Sequence, residues 1–460
     1  MEKIYPLALH IFRRDLRLHD NTALIEALKS SQAVLPCFIF DERQIENNPY
    51  KSDHCLQFMA HSLHELDREL KKKNSRLYLF YGIAENIVAQ ILHALNVKAV
   101  FINRDYTPFS QKRDQAIEKI CRQLNVDFHT YADTLLHEPE EVLKSNDEPY
   151  TVFTYFSKKA SELYVSIPHN NLYENYYQKP ISFENKTLLA KLLEKNNPHR
   201  FVKGGRTEAL SLLKEIKNLG NYSILRNLPA LQKTTRLSAH NKFGTVSIRE
   251  FYFAIMKNFG KKHILMTELQ WRDFFTHIAF HYPRVFGKAF KNKYSNMTWS
   301  QNEKHFYAWC EGQTGFPIVD AGMRELNATG YMHNRIRMIV ASFLTKDLHI
   351  DWRLGEKYFA QKLVDYDPAI NNGNWQWAAS TGCDAQPYFR IFNPWLQQKR
   401  FDPECLYIKR WIPELKIFSP QEICKLNQIK ITLTNYPAPI VDHTRESQKA
   451  KMRYKNQMRI

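Results

Sequence analysis

The 460-residue sequence contains no C-x-x-C pair, and its seven cysteines (37, 55, 121, 310, 383, 405 and 424) are scattered and odd in number. That excludes a disulfide framework and a cysteine-built zinc site, and it reads the cysteines as buried thiols. No uncharged apolar run is long enough to cross a bilayer. The amino terminus "MEKIYPLALHIF", leading into "RRDLR", lacks the apolar region and small-residue cleavage site of a signal peptide, so the expected location is cytoplasmic. Neither G-x-G-x-x-G nor G-x-x-x-x-G-K follows any strand-like run, which rules out a standard dinucleotide or triphosphate loop. Internal repeats and low-complexity tracts are absent as well. Negative charge is in short supply: 47 acidic side chains face 65 lysines and arginines, a net charge of +18. Such a field attracts polyanions, nucleic acid first among them, although a basic balance also serves solubility alone.

Over the first ~130 residues, short β-rich runs ("LALHIF", "AVLPCFIF", "RLYLFYG", "AVFINR", "VDFHTY") alternate with helical patterns, the signature of an α/β domain with a Rossmann-like parallel sheet. The spacing gives this domain residues 1–132. Polar, proline- and asparagine-containing sequence at 133–200 reads as a long interdomain linker. Residues 201–460 are expected to form an all-helical domain, where Ser247 and Glu250 form a capping box and Pro317 opens a helix. Every tryptophan (271, 299, 309, 352, 375, 377, 395 and 411) falls in that second region. Aromatics fill helical cores, yet the α/β region builds its own core without an indole.

Four stretches could carry chemistry. "LVDYDPAINNGNWQWAASTG" joins Asp365 and Asp367 to Asn371 and two tryptophans. With no further ligand at useful spacing a metal is not expected there; the carboxylates suit heterocycle N–H groups or ribose hydroxyls, and the Asn371 amide can donate to a ring nitrogen. "GYMHNRIRMIVASFL" places Asn334, Arg337 and Met338 on adjacent helical turns with Arg335 pointing elsewhere, and Asp365 is an available partner for an arginine there. In "TTRLSAH", Thr234, Thr235 and Ser238 at a helix start suit a phosphate cradle or simple caps. "TELQWRDFF" groups Glu268, Trp271 and Arg272, a hydrogen-bonding carboxylate, a stacking face and a phosphate-seeking guanidinium.

The segments "FRRDLRLHDNTAL", "PYTVFTYF", "QTGFPIVDAGMRELNATGYMHNRIRM" and "DYDPAINNGNWQWAASTGCDAQPYFRIFNP" together resemble the photolyase/cryptochrome family, specifically the class I cyclobutane pyrimidine dimer photolyases of bacteria. The resemblance implies a light-driven DNA-repair flavoenzyme, a monomer, with an antenna chromophore in the α/β domain and FAD in the helical one. Reduced FAD would pass an electron to a flipped-out dimer and receive it back after the ring splits.

Residue by residue, the resemblance assigns FAD contacts to Tyr222, Thr234, Thr235, Leu237, Ser238, Asn334, Arg337, Asp365, Asp367 and Asn371, with Asn371 facing the flavin N5. Glu268, Trp271, Met338 and Trp377 match lesion-contact positions, and Arg226, Arg272, Arg335 and Arg390 match positions that hold DNA phosphates. Trp375, Trp352 and Trp299 match a row that carries electrons from the surface to the flavin. Where the folate-binding pattern has an Asn-Glu pair, this chain has Phe109 and Ser110, which leaves the antenna open between a methenyltetrahydrofolate bound otherwise, a deazaflavin and an empty site. The alternatives to dimer repair are a cryptochrome-type photoreceptor and a (6-4) photolyase. The first is disfavoured by Asn371 and the lesion-contact residues, the second by the "MHNRIRM" segment.

Overall fold

A computed structural model describes residues 3–46, 48–195, 197–426 and 435–457. Five strands form one parallel sheet: β1 (Tyr5–Phe12), β2 (Ser31–Phe40), β3 (Tyr78–Tyr81), β4 (Ala99–Asn103) and β5 (Asp127–Tyr131). Their order is β3-β2-β1-β4-β5, with Leu9 opposite Leu35 and Val100. All five β-rich runs of the sequence are strands. The period of two sorts their side chains: Leu7, Leu9, Ile11, Leu35, Cys37, Ile39, Tyr78, Phe80, Val100 and Ile102 share one core. The intervening residues Ala8, Phe12, Val34 and Phe40 are buried on the other face, as a sheet covered on both sides requires. Helices α1 (Thr22–Ser30), α2 (Asp53–Lys71), α3 (Ala84–Ala94) and α4 (Pro108–Gln123) supply the crossovers.

Packing divides the chain into two compact units, and not where the pattern of strands and helices changes. The first holds Met1–Pro198, Val202–Asn218 and Thr235–Pro283; the second holds His199–Phe201, Leu219–Thr234 and Arg284–Ile460. Helices α5 (Phe153–Glu162), α6 (Arg206–Glu215), α7 (Ser238–Phe243), α8 (Ile248–Phe259) and α9 (Ile264–His281) therefore belong with the sheet. Buried charge explains this. Arg249 of α8 donates to Asp20 (2.9 Å) and Asp133 (2.7 Å), and Arg17 donates to Asp133 at 2.5 Å. Gly244 also lies so close to the backbone of Arg14 and Asp15 that a Cβ there would collide with it.

Of the stretch 133–200, expected as a linker, residues 133–195 belong to the sheet unit. Tyr177 donates its N–H to Val34 O (2.8 Å), and the Asn175 amide donates to Leu28 O and Ser31 O at 2.9 and 2.8 Å. Its asparagines read as loop composition, but they satisfy backbone carbonyls where α1 gives way to β2.

In the second unit the described residues are helical, as the sequence suggested. The opening proline at Pro317 is present there, and the capping box at Ser247 and Glu250 is present in the sheet unit. The helices used below are α10 (Pro317–Thr329), α11 (Asn334–Ser342), α12 (Trp352–Lys362), α13 (Pro368–Ala378), α14 (Pro394–Phe401) and α15 (His443–Gln457). Gly322 lets α10 close on Ile336 of α11, and Gly355 leaves room for the ring of Trp375, since a Cβ at either would strike that side chain. All seven cysteines are free, and five of them are buried.

Candidate functional site

Helix α13 begins at Asp367, whose carboxylate accepts the N–H groups of Ala369 (3.0 Å) and Ile370 (3.2 Å), so one oxygen expected for a ligand serves first as an N-cap. Four residues on, Asn371 is buried and its amide nitrogen donates to Glu356 O at 3.0 Å. One of the two amide hydrogens is thereby used, which leaves the second N–H and the carbonyl oxygen for a bound group. Trp375, one turn further along the same face, is 2% exposed and meets Phe359 and Trp309 edge-on, centroids 4.9 and 6.1 Å apart. Trp377, two residues later and thus roughly 200° round the helix, is only partly buried against the helical core.

On α11, Arg337 makes a two-pronged ion pair with Asp365, Nη1–Oδ1 3.2 Å and Nη2–Oδ2 2.9 Å, while its Nε donates to Met332 O. The pair anticipated from the sequence is present. Asn334, first in the helix, is exposed. His333 caps the helix through Nδ1, which accepts Arg335 N–H, so its hydrogen sits on Nε2. That Nε2 is buried without a hydrogen-bond partner among the described residues, and burial lowers the ring's pKa to about 4, with the neighbouring arginines acting the same way. A neutral, buried N–H lacking an acceptor beside Asn334 fits a site that holds a polar group. Thr234 approaches Tyr331 at 3.4 Å, and Tyr222 is buried under the guanidinium of Arg226.

Arg335, expected to point away from Asn334, Arg337 and Met338, instead reaches Met338. Its Nη2 donates to Asn227 Oδ1 (2.6 Å), its Nη1 to Met338 Sδ (3.7 Å), and its guanidinium covers Phe401 at 4.4 Å. Burial, then the charges of Arg226 and Arg400, lowers its pKa. Arg400, on α14, is thus a third member of a positive cluster that the sequence reading missed; its basic neighbour Lys399 in "QQKRF" was the only signal. Arg390 is exposed beyond a turn closed on Pro387 O.

In the sheet unit, Leu237 is fully buried and precedes α7 without a side-chain cap, while Thr235 Oγ1 accepts Leu237 N–H at 3.4 Å. Ser238 is exposed as the first residue of the helix. The helix start read from "TTRLSAH" is real, and its N–H groups are not closed by a cap of their own. On α9, Trp271 lies flat on Phe153, centroids 3.6 Å apart and planes 6° from parallel, so the "PYTVFTYF" segment holds the indole in place. Glu268 is partly exposed on the preceding turn. Arg272 is not open to a phosphate: Nη1 donates to Asp273 at 3.1 Å and the side chain is 10% exposed. Burial raises Asp273 to about 6 against the pull of Arg272. Phe109 lies between Arg43 and Arg113, with centroid distances of 5.1 and 6.0 Å, and Ser110 donates to Asp105.

Two buried carboxyls of the helical unit also escaped the sequence reading. Glu356 accepts from the Asn372 amide at 2.9 Å and Glu325 from the Tyr407 hydroxyl at 2.6 Å, and burial lifts each to about 7. Nothing in the local sequence marks either as buried. Trp375, Trp352 and Trp299 lie in one core cluster. Among the described residues no group of three or more His, Cys, Asp or Glu side chains could hold a metal ion, and no helix is long and apolar enough to cross a membrane.

Comparison with known proteins gives this geometry a family. Residues 8–171 match the family model described as DNA photolyase, and residues 265–456 match the FAD binding domain of DNA photolyase. A deoxyribodipyrimidine photo-lyase of Alkalihalophilus pseudofirmus is 38% identical, covering 95% of this chain and 96% of that one. The solved archaeal photolyase from Sulfolobus tokodaii, described with two FAD molecules, is 45% identical with a TM-score of 0.88, covering 98% of this chain and 100% of the other. A bacterial class III photolyase from Agrobacterium tumefaciens is 34% identical with a TM-score of 0.91, covering 100% and 99%. The chain belongs to the DNA photolyase family and carries that family's FAD-binding domain.

Proposed function

We propose that the protein is a deoxyribodipyrimidine photo-lyase that splits cyclobutane pyrimidine dimers in ultraviolet-damaged DNA under blue or near-ultraviolet light. The observation that carries this reading is Asn371: buried, neutral and held in place by the bond from its amide nitrogen to Glu356 O. A neutral side chain there is compatible with a reduced, anionic flavin, where a carboxylate would repel it.

Reduced FAD, when bound, supplies the excitable electron donor. The chain's own residues bind and orient. Arg337 and Asp365 fix one another beside Asn371's helix, Tyr222, Thr234, Thr235, Leu237 and Ser238 hold the phosphate and ribityl portion, and Asn334 and Asp367 contribute polar contacts. A dimer stacks and pairs poorly, so taking it out of the duplex costs less than flipping an intact pair. Trp271 and Trp377 then offer aromatic faces to the bases, Glu268 a hydrogen-bond acceptor and Met338 a polarizable contact. Arg226, Arg335, Arg390 and Arg400 hold phosphates. Arg272 contributes there only by leaving Asp273.

Trp299, Trp352 and Trp375 form the row that delivers an electron to oxidised flavin, a separate task from repair. The antenna stays open between folate and deazaflavin, and the second FAD of the Sulfolobus structure adds a third candidate.

Illumination of the reduced protein with dimer-containing DNA restores paired thymines and darkness does not. Equal yields in light and dark would overturn the reading, and a photoreceptor without repair is the outcome that would replace it.

A further inference from the structure

The tryptophan expected at the surface does not stand open. Trp299 is 9% exposed, and over it lies Arg453 of α15, the guanidinium carbon 4.6 Å from the ring centroid. This cation is poorly compensated. Its Nη1 reaches His349 O at 3.5 Å, while Nε and Nη2 are buried without a hydrogen-bond partner among the described residues. Asp351, the carboxylate that acts on it, is itself paired with Arg353 at 2.8 Å. Burial accordingly lowers the Arg453 pKa.

Helix α15 is held at both ends. His443 meets Asp347 at 2.5 Å and His349 meets Glu446 at 2.9 Å near its start, and Tyr454 donates to Ala379 O at 2.5 Å near its end. Lys346, also buried, points its ammonium at the Tyr454 ring from 3.6 Å. Arg453 is therefore fixed over the indole.

A cation over a neutral indole is attracted by the ring's electron-rich face. Once the indole has lost an electron, two positive charges face each other at the same distance in a partly dry setting, where repulsion outweighs that attraction. We propose that Arg453 is a positioning residue that sets how long the electron vacancy survives on Trp299, and with it the yield of light-driven flavin reduction.

The proposal rests on the reading that Trp299 is the outer member of the tryptophan row. One electron leaves Trp299 for Trp352, one leaves Trp352 for Trp375, and one leaves Trp375 for the bound, light-excited oxidised flavin. The net result is one oxidation at Trp299 and one reduction at the flavin. The vacancy ends by return of that electron, or by loss of the Nε1 proton to solvent followed by one electron and one proton from an added thiol, which is oxidised.

The test uses the full-length flavoprotein with oxidised flavin, a light flash, and time-resolved absorbance of the indole radical. Arg453→Gln, which keeps a polar side chain and removes the charge, lengthens the radical lifetime about tenfold, and Arg453→Lys stays within about twofold of the parent. Thermal melting monitored by circular dichroism checks that α15 still packs in each variant. As a readout that does not depend on flavin chemistry, an external ruthenium photo-oxidant with peptide mass spectrometry scores oxidation at Trp299, which rises in Arg453→Gln. Lifetimes equal in Arg453→Gln and the parent, with the signal still abolished by Trp299→Phe, overturn the proposal alone. A signal untouched by Trp299→Phe overturns the row as well, which separates the two failures.

Discussion

Buried charge is handled in two ways, and each unit shows one of them in its clearest form. In the sheet unit Arg17, Arg249, Asp20 and Asp133 are nearly sealed from water, yet each guanidinium meets a carboxylate. Burial would raise Asp133, but the two arginines outweigh it and hold its pKa below the ordinary value. In the helical unit Glu325, Glu356 and Lys346 are buried against neutral partners: a phenol, an amide and a serine hydroxyl. Complementary charges remain ionised and act as structure. Charges without a counter-charge sit near neutrality or lose their charge, and they can respond when a ligand changes the local field.

The largest test of that contrast is Asp133→Ala. It strips a shared carboxylate from two buried arginines and should cost about 3–5 kcal/mol in urea unfolding, while the flavin content of the folded fraction stays at the parent level. A loss below about 1 kcal/mol would mean that this network is not what ties α8 to the sheet.

A pH test probes the helical unit. Glu356 has its folded pKa raised from 4.5 to about 7. Its neutral form is favoured in the folded state, so its stabilisation is complete below about pH 4.5 and is lost as pH rises through about 7, a fall of up to about 3 kcal/mol. Glu356→Gln should flatten that part of the urea-stability profile. Glu325 shifts the same way, so a slope remains until it too is replaced.

Smaller effects separate stacking from charge. Trp271→Ala should weaken binding to dimer-containing DNA by about 1–3 kcal/mol. Phe153→Leu, which only releases the back of that indole, should cost about 1 kcal/mol, with fluorescence titration as the readout. Arg400→Ala should lower the salt dependence of DNA binding by about one unit of slope and act alike on damaged and undamaged DNA. A loss confined to damaged DNA would move Arg400 from phosphate contact to lesion contact.

Much of this was legible in the chain. The strands announced themselves because alternating burial leaves a period of two, and α8 and α10 because capping boxes and opening prolines are local chemistry. The Arg337–Asp365 pair was anticipated because a helical arginine beside apolar residues needs an anion. The role of 133–200 was misread because Asn171 and Asn175 look like loop residues until the carbonyls they satisfy, Leu18 O, Leu28 O and Ser31 O, are in view. Arg272 and Arg400 exchange prominence for the same reason. Exposure and pairing belong to the surroundings of a side chain and not to its type.

By itself the sequence determined the sheet, the helical character of the second half and the family, because these rest on periodicities and motifs contained within single segments. What anchors the Asn371 amide, which carboxyls lie buried near neutrality and what covers Trp299 were decided only in the tertiary structure. Each depends on a partner brought from a distant segment: Glu356 O to Asn371, Tyr407 to Glu325, and Arg453 to Trp299. Burial and Coulomb forces act through space, and no local window of residues carries that distance.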